Sequence, residues 1–376
     1  MGACDSINES RIKKISKNSF IKDNEAHTYF SSSSLPIISS STFSQKLPIS
    51  KKHKSIDKLN PLNDKKFILP QSIVKREDIT HKYTISKILG DGATAQVFLG
   101  ENSSKQKFAI KRIKKDKIDN SLINNIIKET SICFKLKNKN VIEYYEIYED
   151  ISSINIVMEY CNIDLFELIM SCPFRHIPEG LAIVLLIQIF ESINYLHNTL
   201  NIVHCDIKPE NYVLKFDKQN IDQQVLKLID FGNIRHKPKN NERLYHFSGT
   251  REYMAPETME NYGFNEKVDE WAAGVIMFNM LTGCDPFSSD NDSQYEENIK
   301  FKKIKFEYIK NKSLRELNKK LLNRNIDERI TAKEALKEIQ LIKKDLMTIN
   351  LMNNINNNKS DYFDFITKKI SLISIS

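Results

Sequence analysis

"HCDIKPEN", His204 to Asn211, decides how this chain is read. It sets Asp206 two residues before Lys208 and five before Asn211, in a turn that also holds Pro209. A carboxylate, an ammonium and an amide at that spacing suit a site that handles a phosphate and a metal. Asp206 can accept or orient the proton of an attacking hydroxyl. Lys208 can neutralise a phosphate as charge moves, and Asn211 can hold a cation. Downstream, after the apolar run "VLKLI", comes Asp230 of "LIDFGN". It offers a carboxylate to Mg2+, which takes oxygen ligands and keeps several of its waters. Phosphoryl transfer asks a protein for positioning and charge neutralisation more than for covalent help. This set of side chains meets that need.

A second constellation lies upstream. In "LGDGATAQV", Leu89 to Val97, Gly90 and Gly92 permit a tight strand–turn–strand loop whose amides can approach phosphate oxygens. The loop comprises Leu89, Gly90, Asp91, Gly92, Ala93, Thr94, Ala95, Gln96 and Val97. Two glycines in a hairpin usually make no more than a turn, but here "FAIK" follows. Its Lys111 comes fourteen residues after Val97, on the next strand but one, where it can pair with the α- and β-phosphates of a nucleotide. Such a Lys needs an acidic partner, and Glu129 is the only acidic residue between Asp119 and Glu143.

The texture of the chain divides it. Residues 1–80 are rich in Ser, Asn, Lys and Ile with scattered prolines and no sustained periodicity, so they read as a disordered basic arm. Residues 81–161 alternate as strands around one helical stretch at 118–137, and residues 162–342 are mostly helical. That predicts an α+β fold of two lobes, with 343–376 as an Asn-rich tail. No run approaches the length of a membrane span, and the start lacks the apolar core of a signal peptide. The six cysteines show no CxxC spacing, which argues against a zinc site or a disulfide framework and for a reducing compartment.

The formal net charge is +8, and residues 1–78 hold 14 Lys/Arg against 8 Asp/Glu. "MGACDS" fits a myristoylation signal at Gly2 with Ser6 in the favoured place, and Cys4 can take a second, reversible acyl chain. One acyl chain holds a membrane only marginally, so Cys4 or the basic run from Arg11 supplies the second signal. The expectation is a protein at the cytoplasmic face of a membrane. A nucleic-acid-binding arm is the poorer reading, since interleaved aromatics and a recognised module are both missing.

The order of Gly-rich loop, Lys111, Glu129, HxDxKxxN, DFG and "APE" resembles the eukaryotic protein kinase family over roughly residues 83–340. The resemblance implies a β-rich lobe and a helical lobe with ATP and Mg2+ between them. By it, Leu89, Val97, Ala109 and Val213 line the adenine pocket and Met158 is the gatekeeper. Glu159 to Cys161 form the hinge, and Asp164 lies beside the ribose. Asp206, Lys208, Lys111 and Glu129 serve catalysis, while Asn211 and Asp230 bind metal. Cys133, His204 and Phe231 stack as a spine, Glu257 pairs with Arg329, and Asp269 anchors the catalytic loop. Lys208 and the Thr250 segment "GTREYMAPE" point to protein Ser/Thr hydroxyls as substrate. "DEWAAGVIMFNMLTGCDPF" is most similar to the calcium/calmodulin-dependent group, including calcium-dependent protein kinases. After residue 340 there is no EF-hand loop, so an intrinsic calcium site is not expected.

The chain departs from that pattern at informative places. Ala95 replaces the third glycine. Cys205 stands where the family usually has an Arg that grips a phosphate on the activation loop. His246 stands where the phosphorylated Thr is often found, which leaves Ser248 and Tyr245 as nearby hydroxyls. Activity independent of activation-loop phosphorylation is therefore expected. Asp164 and Glu210 match positions that meet upstream Arg in basophilic relatives, whereas Asn279 replaces a frequent Glu. A scaffold that binds nucleotide without turnover is the rival reading, which intact Lys111, Asp206, Asn211 and Asp230 oppose.

Overall fold

The computed structural model describes residues 73–352, apart from 93–94, 118–119, 218–219, 240–241, 260–261 and 290. The acylation motif at Gly2 and Cys4, the arm up to residue 72 and the tail from 353 lie outside the described residues.

The first lobe is a six-stranded sheet: β1 (Val74–Lys75), β2 (Thr84–Asp91), β3 (Gln96–Glu101), β4 (Lys107–Lys114), β5 (Tyr144–Glu149) and β6 (Ser153–Glu159). Their spatial order is β1-β5-β6-β4-β3-β2. β1 runs parallel to β5 and the other neighbours are antiparallel. Helix α1 (Asn120–Ile132) follows β4. Because side chains alternate along a strand, β4 sends Phe108 and Ile110 into a core with Ile79, Tyr83, Tyr148 and Val157. Ala109 and Lys111 then share the opposite face. The register carries that face across the sheet, pairing Val97 with Lys111, Lys111 with Ile156 and Ala109 with Met158.

The fold begins earlier than the expected edge at residue 81. Val74 and Ile79 are buried, and Glu146 collects Lys75, Lys82 and the Tyr83 hydroxyl at 2.6–2.7 Å. Burial pushes the Glu146 carboxyl up, but these donors outweigh it and hold the group at about 2. A two-residue strand and two lone apolar side chains carry no periodicity; only the surface of β5 makes them part of a core.

The second lobe holds β7 (Ile163–Asp164), α2 (Leu165–Ser171), α3 (Glu179–Tyr195), β8 (Ile202–Val203), β9 (Tyr212–Asp217), β10 (Asn220–Leu228) and β11 (Arg235–His236). After these come α4 (Pro256–Met259), α5 (Lys267–Thr282), α6 (Asp292–Phe301), α7 (Lys312–Leu321) and α8 (Ala332–Met352). α5 is the axis of the lobe, with 13 of its 16 residues buried. Gly274 lets α7 approach it, since a Cβ there would meet the Leu321 Cβ at 2.9 Å. α8 runs ten residues past the expected domain edge at 342.

Among the described residues, Glu179–Leu200 is long and apolar enough to cross a membrane, contrary to the expectation that no run would be. Two thirds of it is buried inside the lobe. Its apolar residues cover every face because α5 and α8 pack around it.

Candidate active site

The cleft is built from both lobes. β4 presents Lys111, whose Nζ lies 2.8 Å from Glu129 Oε2 on α1 and 3.3 Å from Asp230 Oδ1. Burial opposes the Lys111 charge, yet Asp230 and Glu129 more than compensate and raise its pKa. In return Lys111 draws the Asp230 carboxyl below its ordinary value, so it stays ionised. Asp230 adopts a left-handed turn (φ +64°). Asp tolerates that region better than most side chains. The next residue, Phe231, is fully buried.

Asp206, Lys208 and Asn211 lie together around Thr250. Asp206 Oδ1 accepts the Thr250 N–H (2.9 Å) and hydroxyl (2.7 Å), and Lys208 Nζ donates to the same hydroxyl at 2.8 Å. Asn211 Nδ2 donates to Asp206 O at 2.8 Å and Oδ2 at 3.2 Å. Thr250 therefore spans Asp206 and Lys208 through one hydroxyl. Asp230 and Asn211 bring a carboxylate held ionised and an amide oriented through its NH2. These hard oxygen donors fit Mg2+. Among the described residues no cluster of three or more His, Cys, Asp or Glu forms a metal site.

This loop rests on α5. Asp269 accepts the backbone N–H of His204 at 2.7 Å and of Cys205 at 2.9 Å. His197 bridges the acids beneath, with Nε2 2.8 Å from Asp269 Oδ2 and Nδ1 3.2 Å from Glu270 Oε1. Burial disfavours the imidazolium, but the two carboxylates raise its pKa to about 10. The His204 ring donates through Nε2 to Ile229 O and meets the Phe231 ring edge-on at 5.3 Å. Cys133 is buried at the end of α1. Glu257 and Arg329 form the expected pair, bidentate at 2.7 and 3.0 Å.

The residues expected to face a nucleotide sit as follows. Val97, Ala109, Lys111 and Met158 share one sheet face, Leu89 lies near the end of β2, and Val213 lies on β9 opposite Asp164. Gly92 N–H closes the hairpin onto Ala95 O at 3.0 Å, and Asp91 pairs with Gln96. Ala93 and Thr94 at its tip lie outside the described residues. Asp164 caps α2 by accepting the Glu167 N–H at 2.7 Å. Burial, and then the nearby Glu167 and Glu210 charges, raise its carboxyl to about 6.

Cys205 is buried at φ +66°. Burial first, and the Asp269 charge after it, push its thiol well above the ordinary value, so it remains a neutral packing group. Gly249 explains how the activation segment reaches it: a Cβ there would lie 2.5 Å from Cys205 O. Arg235 Nη2 donates to His246 O at 2.9 Å, Leu244 and Phe264 exchange backbone bonds of 2.7 and 2.9 Å, and Phe247 meets Phe264 edge-on at 5.1 Å.

Three features escaped the reading of the sequence. The hinge carboxylate of Glu159 is buried between Lys215 (2.5 Å) and Lys227 (2.9 Å). Arg235 serves a carbonyl. Tyr144, on β5, touches both Glu129 and Phe231. The β-strand periodicity marks Tyr144 as a core residue and carries no signal for its hydroxyl.

Comparison with known proteins agrees with this geometry. The family description "Protein kinase domain" matches residues 83–339. Serine/threonine-protein kinase dkf-2 of Caenorhabditis briggsae is 33% identical over 243 residues, 64% of this chain and 20% of that protein. A probable serine/threonine-protein kinase pXi of Dictyostelium discoideum is 35% identical, covering 68% of this chain and 36% of its own length. Myosin light chain kinase family member 4 of Homo sapiens is 34% identical over 314 residues, covering 78% of this chain and 76% of its own. The chain thus spans about a fifth to a third of the first two relatives and three quarters of the third.

Proposed function

Because the chain belongs to the eukaryotic protein kinase family, we propose that it is an active Ser/Thr kinase that transfers the ATP γ-phosphoryl group to protein hydroxyls. The observation that carries this is the convergence of Asp206, Lys208 and the Thr250 hydroxyl within 2.7–2.8 Å. Asp206 receives or orients the hydroxyl proton, Lys208 compensates charge on the phosphoryl oxygens, and Lys111, aligned by Glu129, holds the nucleotide phosphates. Asp230 and Asn211 would hold Mg2+, which supplies charge neutralisation on the phosphates. The test is transfer from Mg-ATP to a Ser/Thr peptide by the full chain and by Asp206→Ala. Removing a general base costs about 10^2–10^4 in rate. No turnover by the wild type, or equal turnover by both, would sink the reading.

The activity we propose does not depend on activation-loop phosphorylation. Buried Cys205 offers no cation for a phosphate, and Arg235 already spends a donor on His246 O. Phosphatase treatment of purified protein should leave the rate unchanged; its abolition by phosphatase defeats this part. A loose preference for basic residues before the target is supported by the mutual crowding of Asp164, Glu167 and Glu210. A peptide array that disfavours upstream Arg argues against it. Acylation at Gly2 and Cys4 is proposed from the motif alone, and myristate-analogue labelling that survives Gly2→Ala would reject it.

A further inference from the structure

Residues 300–320 hold nine Lys/Arg against two Asp/Glu. A general richness in Lys does not account for this. Taking 1–78 and 300–320 out of the totals of 56 and 48 leaves 33 Lys/Arg against 38 Asp/Glu. The stretch is a local excess of positive charge on a remainder that is slightly acidic.

The fold puts that charge outside. α6 ends at Phe301 and α7 begins at Lys312, and the link between them holds one 3-10 turn, Phe306–Tyr308. Ile304 and Ile309 are 5% and 1% exposed and pin the link to the lobe, while Lys303, Lys305, Lys310 and Lys312 stay exposed around them. Arg315 fixes the shape of the link, donating from Nε to Ile309 O at 2.9 Å and from Nη2 to Lys310 O at 3.1 Å. The Asn311 side chain ties it to Glu179 on α3 at 2.8 Å. Glu316 is taken by Lys319 and Glu338 by Lys320, so among the described residues no carboxylate pairs with those four exposed lysines. Glu307 is the one carboxylate between Lys300 and Arg315. Two rings stand among the charges: Phe301 is 75% exposed and Tyr308 42%, with Lys305 Nζ 5.7 Å from the Tyr308 ring.

A fixed array of lysines around exposed rings suits a surface that is anionic and has an apolar layer beneath. Rings settle at the headgroup level of a bilayer, and each lysine near an anionic leaflet adds about fivefold to binding. Duplex nucleic acid would take the charge but give Phe301 no apolar layer to enter. We propose that Phe301, Lys303, Lys305, Tyr308, Lys310 and Lys312 form a docking face for an anionic lipid bilayer. Seventy residues separate Cys4 from Val74, a length that spans at most about 250 Å when fully extended. An acyl chain at Cys4 would thus leave open which side of the folded part meets the lipid, and this face decides it. The docking face needs neither acylation nor phosphoryl transfer.

The test uses the full chain made without acylation and vesicles of phosphatidylcholine with about 30% phosphatidylserine, a strongly anionic surface. Vesicles should shield the four lysines of the wild type from an amine-acetylating reagent. Combined Lys303→Gln, Lys305→Gln, Lys310→Gln and Lys312→Gln should weaken vesicle binding by more than about a hundredfold, and Phe301→Ser by about tenfold. Binding that the fourfold variant keeps, as residues 1–78 alone would give, overturns the proposal, and so does equal binding to neutral vesicles. Shielding by an oligonucleotide or an acidic peptide, and not by vesicles, assigns the face to another partner and overturns it too. Asp206→Ala should bind vesicles as the wild type does, so the docking face and the kinase reading fail separately.

Discussion

The catalytic loop and the activation segment lie side by side, yet the contacts that hold them differ in burial. The loop at 204–211 hangs on buried charge: Asp269 takes two of its N–H groups, and His197 links Asp269 to Glu270. Within the segment at 232–255, Arg235 meets a carbonyl, a backbone bridge reaches Phe264, two rings meet edge-on, and the partly exposed pairs Lys237–Glu266, Arg243–Asp327 and Arg251–Glu296 tie it to its surroundings. Buried charges hold geometry firmly because each loses several kcal/mol if its partner leaves. Neutral hydrogen bonds and exposed ion pairs hold it by increments of about 1 kcal/mol or less. Asp206 therefore rests on buried charge, and the segment beside it rests on smaller, more exposed contacts.

The sharpest way to break the contrast is Asp269→Asn. It leaves the His197 imidazolium facing one carboxylate and removes the charge that orients two amides. We expect a loss of about 3–5 kcal/mol in urea unfolding, typical of breaking a buried pair, and near-complete loss of turnover. A loss under about 1 kcal/mol would mean the loop does not depend on charge.

The second prediction uses pH. His197 keeps its proton to a higher pH in the fold than in the unfolded chain. Its contribution is complete below an unfolded value of about 6.5 and drains away as pH rises towards about 10. Unfolding free energy of the wild type should fall by a few kcal/mol across that window, at about 1.4 kcal/mol per pH unit at most. His197→Gln should flatten the slope there. An equal slope in both proteins would show that another group titrates.

The smallest effects belong to the activation segment. Arg235→Gln should cost about 1 kcal/mol or less in stability and up to about tenfold in kcat/KM for peptide. Cys205→Arg should help neither quantity. It adds a cation beside Lys128 and Arg235, and Lys128 is already lowered in pKa by burial and then by Arg235. A rate gain in Cys205→Arg would overturn the expectation that a further cation beside Lys128 and Arg235 gives this segment no extra hold.

How much of this was written in the linear chain depends on distance. The relation of Asp206, Lys208 and Asn211 is legible because all three lie within one short turn, where spacing and geometry are nearly the same thing. Lys111 and Glu129 are legible because strand period and helix placement bring them within reach. The Glu257–Arg329 pair and the Asp269 anchor were legible only through resemblance, since 72 and 64–65 residues separate the partners.

The sequence by itself determined the chemistry: which carboxylates, ammonium groups and amide stand together, and that a neutral thiol occupies position 205. Only the tertiary structure decided that Val74 and Ile79 belong to the core and that Glu159 is buried between two lysines. It alone decided that the Tyr144 hydroxyl reaches Glu129. The reason is physical. Local spacing sets what neighbours along the chain can do, whereas burial and long-range pairing exist only once other elements have displaced the water.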